Sequence, residues 1–470
     1  MRIRTKFLGI FFALASIPFA TNAQSSPQPK CDGTIDDTAA LQSAIDNSVA
    51  RHQKLILPPG TCIISTPTVT LPDNLILQGA GKTSTTIRRK NKTNSKSAMF
   101  MVAGKTGSVT ITDLTIDYNK SHQDIGGETI GTSAATITDF SLQRAGIVNS
   151  ALRAVSFLYT NKTFLSNIVI SDDEFANNGS AKNQNEDGFE GDVFIAPANG
   201  LRLQNNHAEN TSGSFFLTGT GGNPTGMGDM TITGNVLTGV LGFGIALGGG
   251  GPDPAGGTNV TIRSNQFDMP RSRQNVIDVA FWDHVIIDRN TIISGTCESG
   301  CAAIGDAPPA SDITVTNNTI TGNPELPSNN CISLGGSREI ITGNTCFDSG
   351  GSGIVLIGAS GGVSGSLIVN NTVKNCNEAA KGNHAGIDLY LPDGASMSGV
   401  TIRGNKVFDD QGHNGTQTWG IGLEVNGRNT SGFSGITIES NDVRNNKIAG
   451  ILSNARGSEN VVVRDNVGYH

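Results

Sequence analysis

Apolar and polar residues along the C-terminal two-thirds of the chain repeat in one short order: apolar, any, apolar, any, any, Asn, any, apolar. The order runs through Asn206, Asn235, Asn265, Asn290, Asn318, Asn344, Asn371, Asn405, Asn441 and Asn466. Val260 and Ile262 precede Asn265 and Phe267 follows it; Val400 and Ile402 precede Asn405 and Val407 follows; Ile436 and Ile438 precede Asn441 and Val443 follows. Glu339 and Ser366 each take one apolar slot. Period-two alternation makes each apolar pair the inward face of a short strand, and the Asn is expected at the bend itself, since Asn tolerates the left-handed backbone. Intervals of 25 to 36 residues between these asparagines fall in the range of solenoid repeats. Stacked coils bury a continuous core that no single coil could bury, and asparagines at one corner should join in a hydrogen-bonded ladder.

A second strand type follows each repeat after a variable loop: Gly244 to Leu247, Val276 to Val279, Ala302 to Ile304, Ile332 to Leu334, Gly353 to Leu356, Gly386 to Leu389 and Gly420 to Leu423. We call the sheet they form the first sheet. Its inward positions are Ile, Val or Leu, so the outward ones follow by elimination: Ala246, Asp278, Ala303, Ser333, Val355, Asp388 with Tyr390, and Glu424. Outward side chains on successive strands are spaced about 4.8 Å apart, a column along which an extended sugar chain can lie.

The N-terminal segment breaks the repeat. Asp36 and Asp37 lead into Thr38 to Ile45, an N-cap signal and an amphipathic helix, which would cap the open end of the solenoid. Before it, Arg2, Arg4 and Lys6 precede an apolar run from Phe7 to Ala20, and small residues end at Ala23. This is the form of a secretory signal peptide, so residues 24–470 are expected to be one exported domain, with the cap at about residues 31–60. A net charge of -7 argues against nucleic acid or an anionic membrane as partner, although a local cluster of Arg263, Arg271, Arg273 and Arg289 leaves an acidic polysaccharide open. Seven cysteines imply at least one unpaired or intermolecular thiol if the others bond. Cys31 and Cys62 flank the cap and are expected to bridge; Cys297, Cys301, Cys331, Cys346 and Cys376 cannot be paired from sequence. No CxxC spacing suggests zinc.

The segment Asp32-Gly33-Thr34-Ile35-Asp36-Asp37-Thr38-Ala39-Ala40, the Leu57-Pro58-Pro59-Gly60-Thr61 strand and the Leu77-Gln78-Gly79-Ala80-Gly81 turn resemble the N-terminal signature of the pectate-lyase-like superfamily, of the pectate lyase 3 type. With the asparagine repeats the resemblance spans almost the whole exported chain. It implies an all-β, right-handed parallel β-helix of roughly 10–13 coils and an extracellular, carbohydrate-active role. It does not choose a reaction, because lyases, hydrolases, epimerases and phage tailspikes share that fold.

Two groups of residues suggest chemistry. Asp388 and Glu424 fall on consecutive coils and both should point outward, close enough for like-charge repulsion to raise one pKa, as an acid and base pair for glycosidic cleavage requires. Lys381 and His384 precede Asp388; His413 and Trp419 precede Glu424, with Trp419 and Tyr390 placed to contact a sugar ring. The rival group centres on Asp278, with Arg271 and Arg273 before it and Trp282, Asp283 and His284 after it. It suits β-elimination from a uronate, where a cation neutralises the carboxylate and a base such as Arg273 takes the adjacent proton.

Asp172-Asp173-Glu174 and Asn185 to Asp192 resemble fragments of the polygalacturonase pattern in the wrong order, and that family's Gly-His-Gly and Arg-Ile-Lys motifs are absent. A calcium or loop-structuring role is the reading they leave, and calcium is the one cofactor kept open. No Asp-Pro-His motif of the alginate epimerase type occurs. Asn91, Asn161, Asn210, Asn259, Asn317 and Asn429 begin Asn-x-Ser/Thr triplets, glycan acceptors only in a eukaryotic secretory pathway. The sequence thus points to a secreted enzyme cleaving a polysaccharide, uronate-containing on the family resemblance, by β-elimination or hydrolysis. A non-catalytic carbohydrate-binding or adhesive scaffold is the alternative.

Overall fold

The computed structural model describes residues 28–469 apart from 135, 158–163, 181–189, 197, 219–227, 249–256, 296–300, 308–309, 327–328, 359–361, 380–383, 427–431 and 454–457. The leader, Lys381 and Cys297 lie outside the described residues. The rest is a parallel β solenoid whose coils stack into three long sheets of 14, 14 and 15 strands. The first sheet contains the strands ending near Leu247, Leu356 and Leu389. The second, of 15 strands, holds the apolar pairs before each ladder asparagine, and the third holds the short strands after it. The expected cap is present as helix α1, Thr38–Ala50, which buries Leu41, Ala44 and Ile45.

Sequence alternation becomes stacked columns. Ile262, Ile287, Val315, Ile341, Ile368, Ile402 and Ile438 succeed one another inside the second sheet, and Ile277, Ile304, Ile332, Ile354, Ile387 and Ile421 inside the first. All are fully buried, each contributing ~1.5–3 kcal/mol. The asparagine ladder forms as expected. Asn235 donates its backbone N–H and its side-chain amide to Asn265 Oδ1, both at 2.9 Å, and its amide also reaches the Leu203 carbonyl. Asn265, Asn290, Asn318, Asn344, Asn371, Asn405 and Asn441 repeat the arrangement down to Asn466.

One expectation is corrected. The ladder asparagines are not the left-handed residues of the bend. Positive φ falls on the residue before each: Asn205, Gly234, Ser264, Arg289, Asn317, Gly343, Asn370, Gly404, Ser440 and Asp465. That residue turns the chain, and the turn aims the following Asn inward, where its amide can reach three backbone or side-chain partners. Side-chain hydrogen bonding selects Asn at the ladder position.

Cys31 and Cys62 are disulfide-bonded, as are Cys331 and Cys346, and Cys301 is also in a disulfide. Cys376 is the buried free thiol that the odd count requires. Among the described residues no helix is long and apolar enough to cross a membrane.

Candidate active site

The outward column of the first sheet, followed by register, reads Ala246, Asp278, Gly305, Ser333, Val355, Asp388, Gly422 and Leu452. Two positions differ from the sequence reading. Gly305, two residues beyond Ala303, stands beside Asp278, because the strand Ala302–Ala307 is longer than its apolar triplet suggests. Glu424 is in register with Tyr390, and Gly422 is the residue opposite Asp388.

That offset makes the site. Gly422 carries no side chain, and a Cβ built there would lie 3.2 Å from Asp388 Oδ1, 3.4 Å from Glu424 Oε1 and 2.9 Å from the Ala385 Cβ. The two carboxyl groups therefore converge diagonally across a notch in the sheet. Neither oxygen has a hydrogen-bond partner. His384 closes the group, its Nδ1 3.6 Å from Asp388 Oδ2, and the three side chains offer atoms that all lie within 4.8 Å of one another. Asp388 is 2% exposed in its side chain and His384 41%; Glu424 is partly exposed. Glu424 and His384 thus face solvent, with Asp388 behind them.

Burial raises the Asp388 carboxyl above its ordinary range, opposed by the His384 hydrogen bond and charge. Glu424 is pushed up to about 7, first by burial and then by the nearby Asp388 charge. His384 is raised by its hydrogen bond to Asp388. At about 7 the Glu424 carboxyl can hold or release a proton near neutrality, while His384 opposes the rise of Asp388.

Tyr390 and Trp419 are partly exposed beside this group, Tyr390 in register with Glu424 and Trp419 with Ala385. His413 sits on an exposed turn, Gly412–Asn414. Lys381 falls outside the described residues. Calcium takes six to eight oxygen ligands; an imidazole with two carboxylates is instead a transition-metal donor set, so this group does not fit the calcium left open by the sequence.

The rival site does not assemble. Asp278 is raised by burial and accepts from the Asn275 amide, and no arginine is among the groups acting on it. Arg271 and Arg273 are exposed in the preceding loop. Trp282 is fully buried, its ring against Gly257, where a Cβ would come within 2.1 Å of it; it is a core residue and cannot contact a sugar. The strand Asp283–Asp288 belongs to the second sheet and turns His284 onto another face. The expected basic cluster is also divided, since Arg263 and Arg289 both pair with Asp288, at 2.9 and 3.3 Å.

Two acids of the acidic stretch have hydrogen-bonded places in the fold. Asp173 occupies the head of the asparagine ladder, and Asp192 is buried on Asn178 and Thr211; Asn185 to Phe189 lie outside the described residues. Two described cavities lie away from Asp388: about 620 Å³ beside α1, lined by Gln42, Asp46 and Thr68, and about 530 Å³ across the second sheet, lined by Thr231, Thr261 and His284. Gly422 itself was missed by sequence reasoning. The signal was present in Gly420-Ile421-Gly422-Leu423-Glu424, where the outward position is Gly before Glu.

A family model described as right handed beta helix region matches residues 258–422 and, again, 309–467. The chain is a right-handed parallel β-helix. This agrees with the pectate-lyase-like signature of its N-terminal segment. The β-helix is similar in fold to the tailspike protein of E. coli bacteriophage HK620, solved as one mutant with a hexasaccharide (13% identity, 93% of this chain and 77% of that chain, TM-score 0.56) and as another with a pentasaccharide (14%, 93% and 78%, TM-score 0.54). The A-module of the Azotobacter vinelandii mannuronan C-5 epimerase AlgE4 is 16% identical, over 94% of this chain and 97% of that chain, at a TM-score of 0.38. None of the curated proteins matches the β-helix by sequence.

Proposed function

We propose that the β-helix is an exported glycoside hydrolase that cleaves a polysaccharide lying along the outer face of its first sheet. Glu424 donates its proton to the leaving glycosidic oxygen as the bond to the sugar carbon breaks, Asp388 supplies negative charge that steadies the sugar as it becomes cationic, and a water then adds to that carbon and returns a proton to Glu424. The observation that carries this reading is the pair of partnerless oxygens, Asp388 Oδ1 and Glu424 Oε1, facing one another across Gly422. A buried polar atom left unsatisfied costs ~1–3 kcal/mol, so such a pair belongs where a ligand or a proton in transit completes it.

His384, in contact with Asp388, is a positioning residue that keeps that carboxylate ionised. Trp419 and Tyr390 flank the pair and offer faces for stacking. β-Elimination is the weaker reading because no described cation stands beside Asp278 to neutralise a uronate. The hexasaccharide and the pentasaccharide solved with the HK620 tailspike mutants, of the same fold, are in keeping with a glycan partner here.

Incubation with a panel of polysaccharides tests this. Hydrolysis yields new reducing ends without the ultraviolet absorbance of unsaturated ends, and Glu424→Gln should lose the activity. Unsaturated ends would replace hydrolysis by elimination, and binding without any product would leave an adhesive scaffold.

A further inference from the structure

The donor atoms at the first-sheet notch suit more than proton transfer. Asp388 is 1% exposed, and its Oδ1, which has no hydrogen-bond partner, faces the equally unpartnered Glu424 Oε1 across Gly422. The third side chain adds a nitrogen, with His384 Nδ1 standing 3.6 Å from Asp388 Oδ2. A well-formed hydrogen bond spans ~2.7–3.2 Å, so the contact is loose for one. It matches the edge of a coordination shell, since donors ~2.0–2.2 Å from a tetrahedral ion stand ~3.3–3.6 Å apart. One donor atom from each of the three side chains lies within 4.8 Å of the others. Rotation of the partly exposed His384 and Glu424 side chains draws them closer.

The backbone beneath these donors is held firmly. Asn377, fully buried, donates its amide to the His384 carbonyl at 2.8 Å, and its own N–H is taken by the Gly351 carbonyl at 2.8 Å. Asp388 and Glu424 stand on the paired strands Ala385–Leu391 and Trp419–Val425. Ligands carried on rigid elements lose little freedom when an ion arrives. The other acidic groups among the described residues lack this chemistry. At Cys31, Asp37 and Cys62 the two sulfurs are joined in a disulfide, and Asp37 accepts from the Lys30 and Cys31 N–H groups. Asp306 and Glu339 bring buried oxygens together without an imidazole or a thiol.

We infer that His384, Asp388 and Glu424 form a binding site for a divalent transition-metal ion of the zinc class, with one coordination position open toward the cleft. Two carboxylates balance the double charge and satisfy the unpartnered oxygens. The imidazole favours zinc, cobalt or nickel over calcium and magnesium, which take oxygen shells. One consequence rests on the hydrolase reading. An ion on Glu424 Oε1 occupies the lone pair that must carry the proton, so the ion is a reversible inhibitor and the metal-free protein is the active form.

The test is calorimetric titration of zinc chloride into the full-length, tag-free protein, with calcium and magnesium chloride for comparison. One zinc per chain is expected, bound ~100-fold or more tightly than calcium or magnesium. His384→Ala and Asp388→Asn should each weaken it ~10-fold or more. Because Asp388 is buried, cobalt supplies a second readout: its visible absorption in the parent should be lost in His384→Ala, a truncation at a partly exposed position that leaves the core intact. No saturable zinc binding, calcium bound as tightly as zinc, or affinity unchanged in both variants would each overturn the inference. The two readings fail separately. Zinc bound at these residues with hydrolysis undiminished would sink Glu424 as the proton donor and leave the metal site, whereas hydrolysis by a protein that binds no zinc would sink the metal site alone.

Discussion

Asp173 donates its backbone N–H to Asn206 Oδ1 at 3.1 Å, the bond each ladder asparagine makes to the next. Its own Oδ1 accepts from Ala145 N at 2.7 Å, as an asparagine's would. Its Oδ2 then stands where every other member carries an NH2 group, and it has no partner. Burial raises the carboxyl well above the ordinary value, and the Asp172 charge adds to this.

Asp173→Asn should therefore stabilise the β-helix. The amide supplies the donors that a carboxylate lacks, a gain of ~1–2 kcal/mol near neutrality. The sign of the pH dependence follows from linkage: a carboxyl raised on folding is fully compatible with the fold below its unfolded value of 3.8, and stability falls as pH rises toward the folded value. Thermal unfolding of both proteins from pH 4 to 9 reads this. A variant that melts below the parent at pH 8 would refute this reading of Asp173.

Glu339 is a second acid turned inward. It fills the slot taken by Ile313 one coil earlier and Val400 two coils later, is fully buried, and has both carboxyl oxygens unpartnered. Asp306, opposite the inward Val279, lies near it and accepts from Gly335 N at 2.6 Å. Burial, then the Asp306 charge, pushes Glu339 up to about 9, and burial takes Asp306 to about 7. The parent should lose stability as pH climbs from 4.5 through about 9, the window between the unfolded and folded values. Glu339→Gln should flatten that loss and melt higher than the parent at pH 9, while differing little at pH 4. Identical pH slopes would count against a neutral Glu339.

How far the sequence carried the reading depended on which physical signal each feature leaves. The Ile and Val columns and the ladder were legible because period-two burial and a repeated amide requirement act on every coil. The cap was legible from Asp37 and the apolar spacing of Leu41, Ala44 and Ile45. Asp388 and Glu424 were found by asking which side chains face outward, and His384 by its place in the loop before Asp388. Trp282 was misplaced because it lies in the turn between the first-sheet strand Ile277–Ala280 and the second-sheet strand Asp283–Asp288, where its ring is buried. The notch at Gly422 and the two-residue offset of Glu424 depend on register between strands that are 34 residues apart in sequence, and alternation within one strand does not encode that.

Gly422 is accordingly a sharp test of the site. Its φ is not positive, so alanine is open to the backbone, but the new methyl would enter the space between the two carboxyl groups and press on Ala385. Gly422→Ala should lower kcat at least tenfold while the protein stays folded by circular dichroism. Full activity in a folded variant would show that nothing of the reaction passes through the notch.

The pH profile of the reaction probes the pair itself. Glu424 must carry its proton to act as the acid, so kcat should fall as pH rises through about 7, and on the acid side it should fall as Asp388 becomes protonated, above the usual carboxylate range. Glu424→Gln should cost ~10²–10⁴-fold in kcat, the scale of a positioned proton donor. The coupling has a direct readout as well. Part of what raises Glu424 is the Asp388 charge, so in Asp388→Asn the Glu424 carboxyl, followed by carbon NMR, should titrate at lower pH than in the parent. A Glu424 titration unmoved by Asp388→Asn would show that the two carboxyls do not act as a pair.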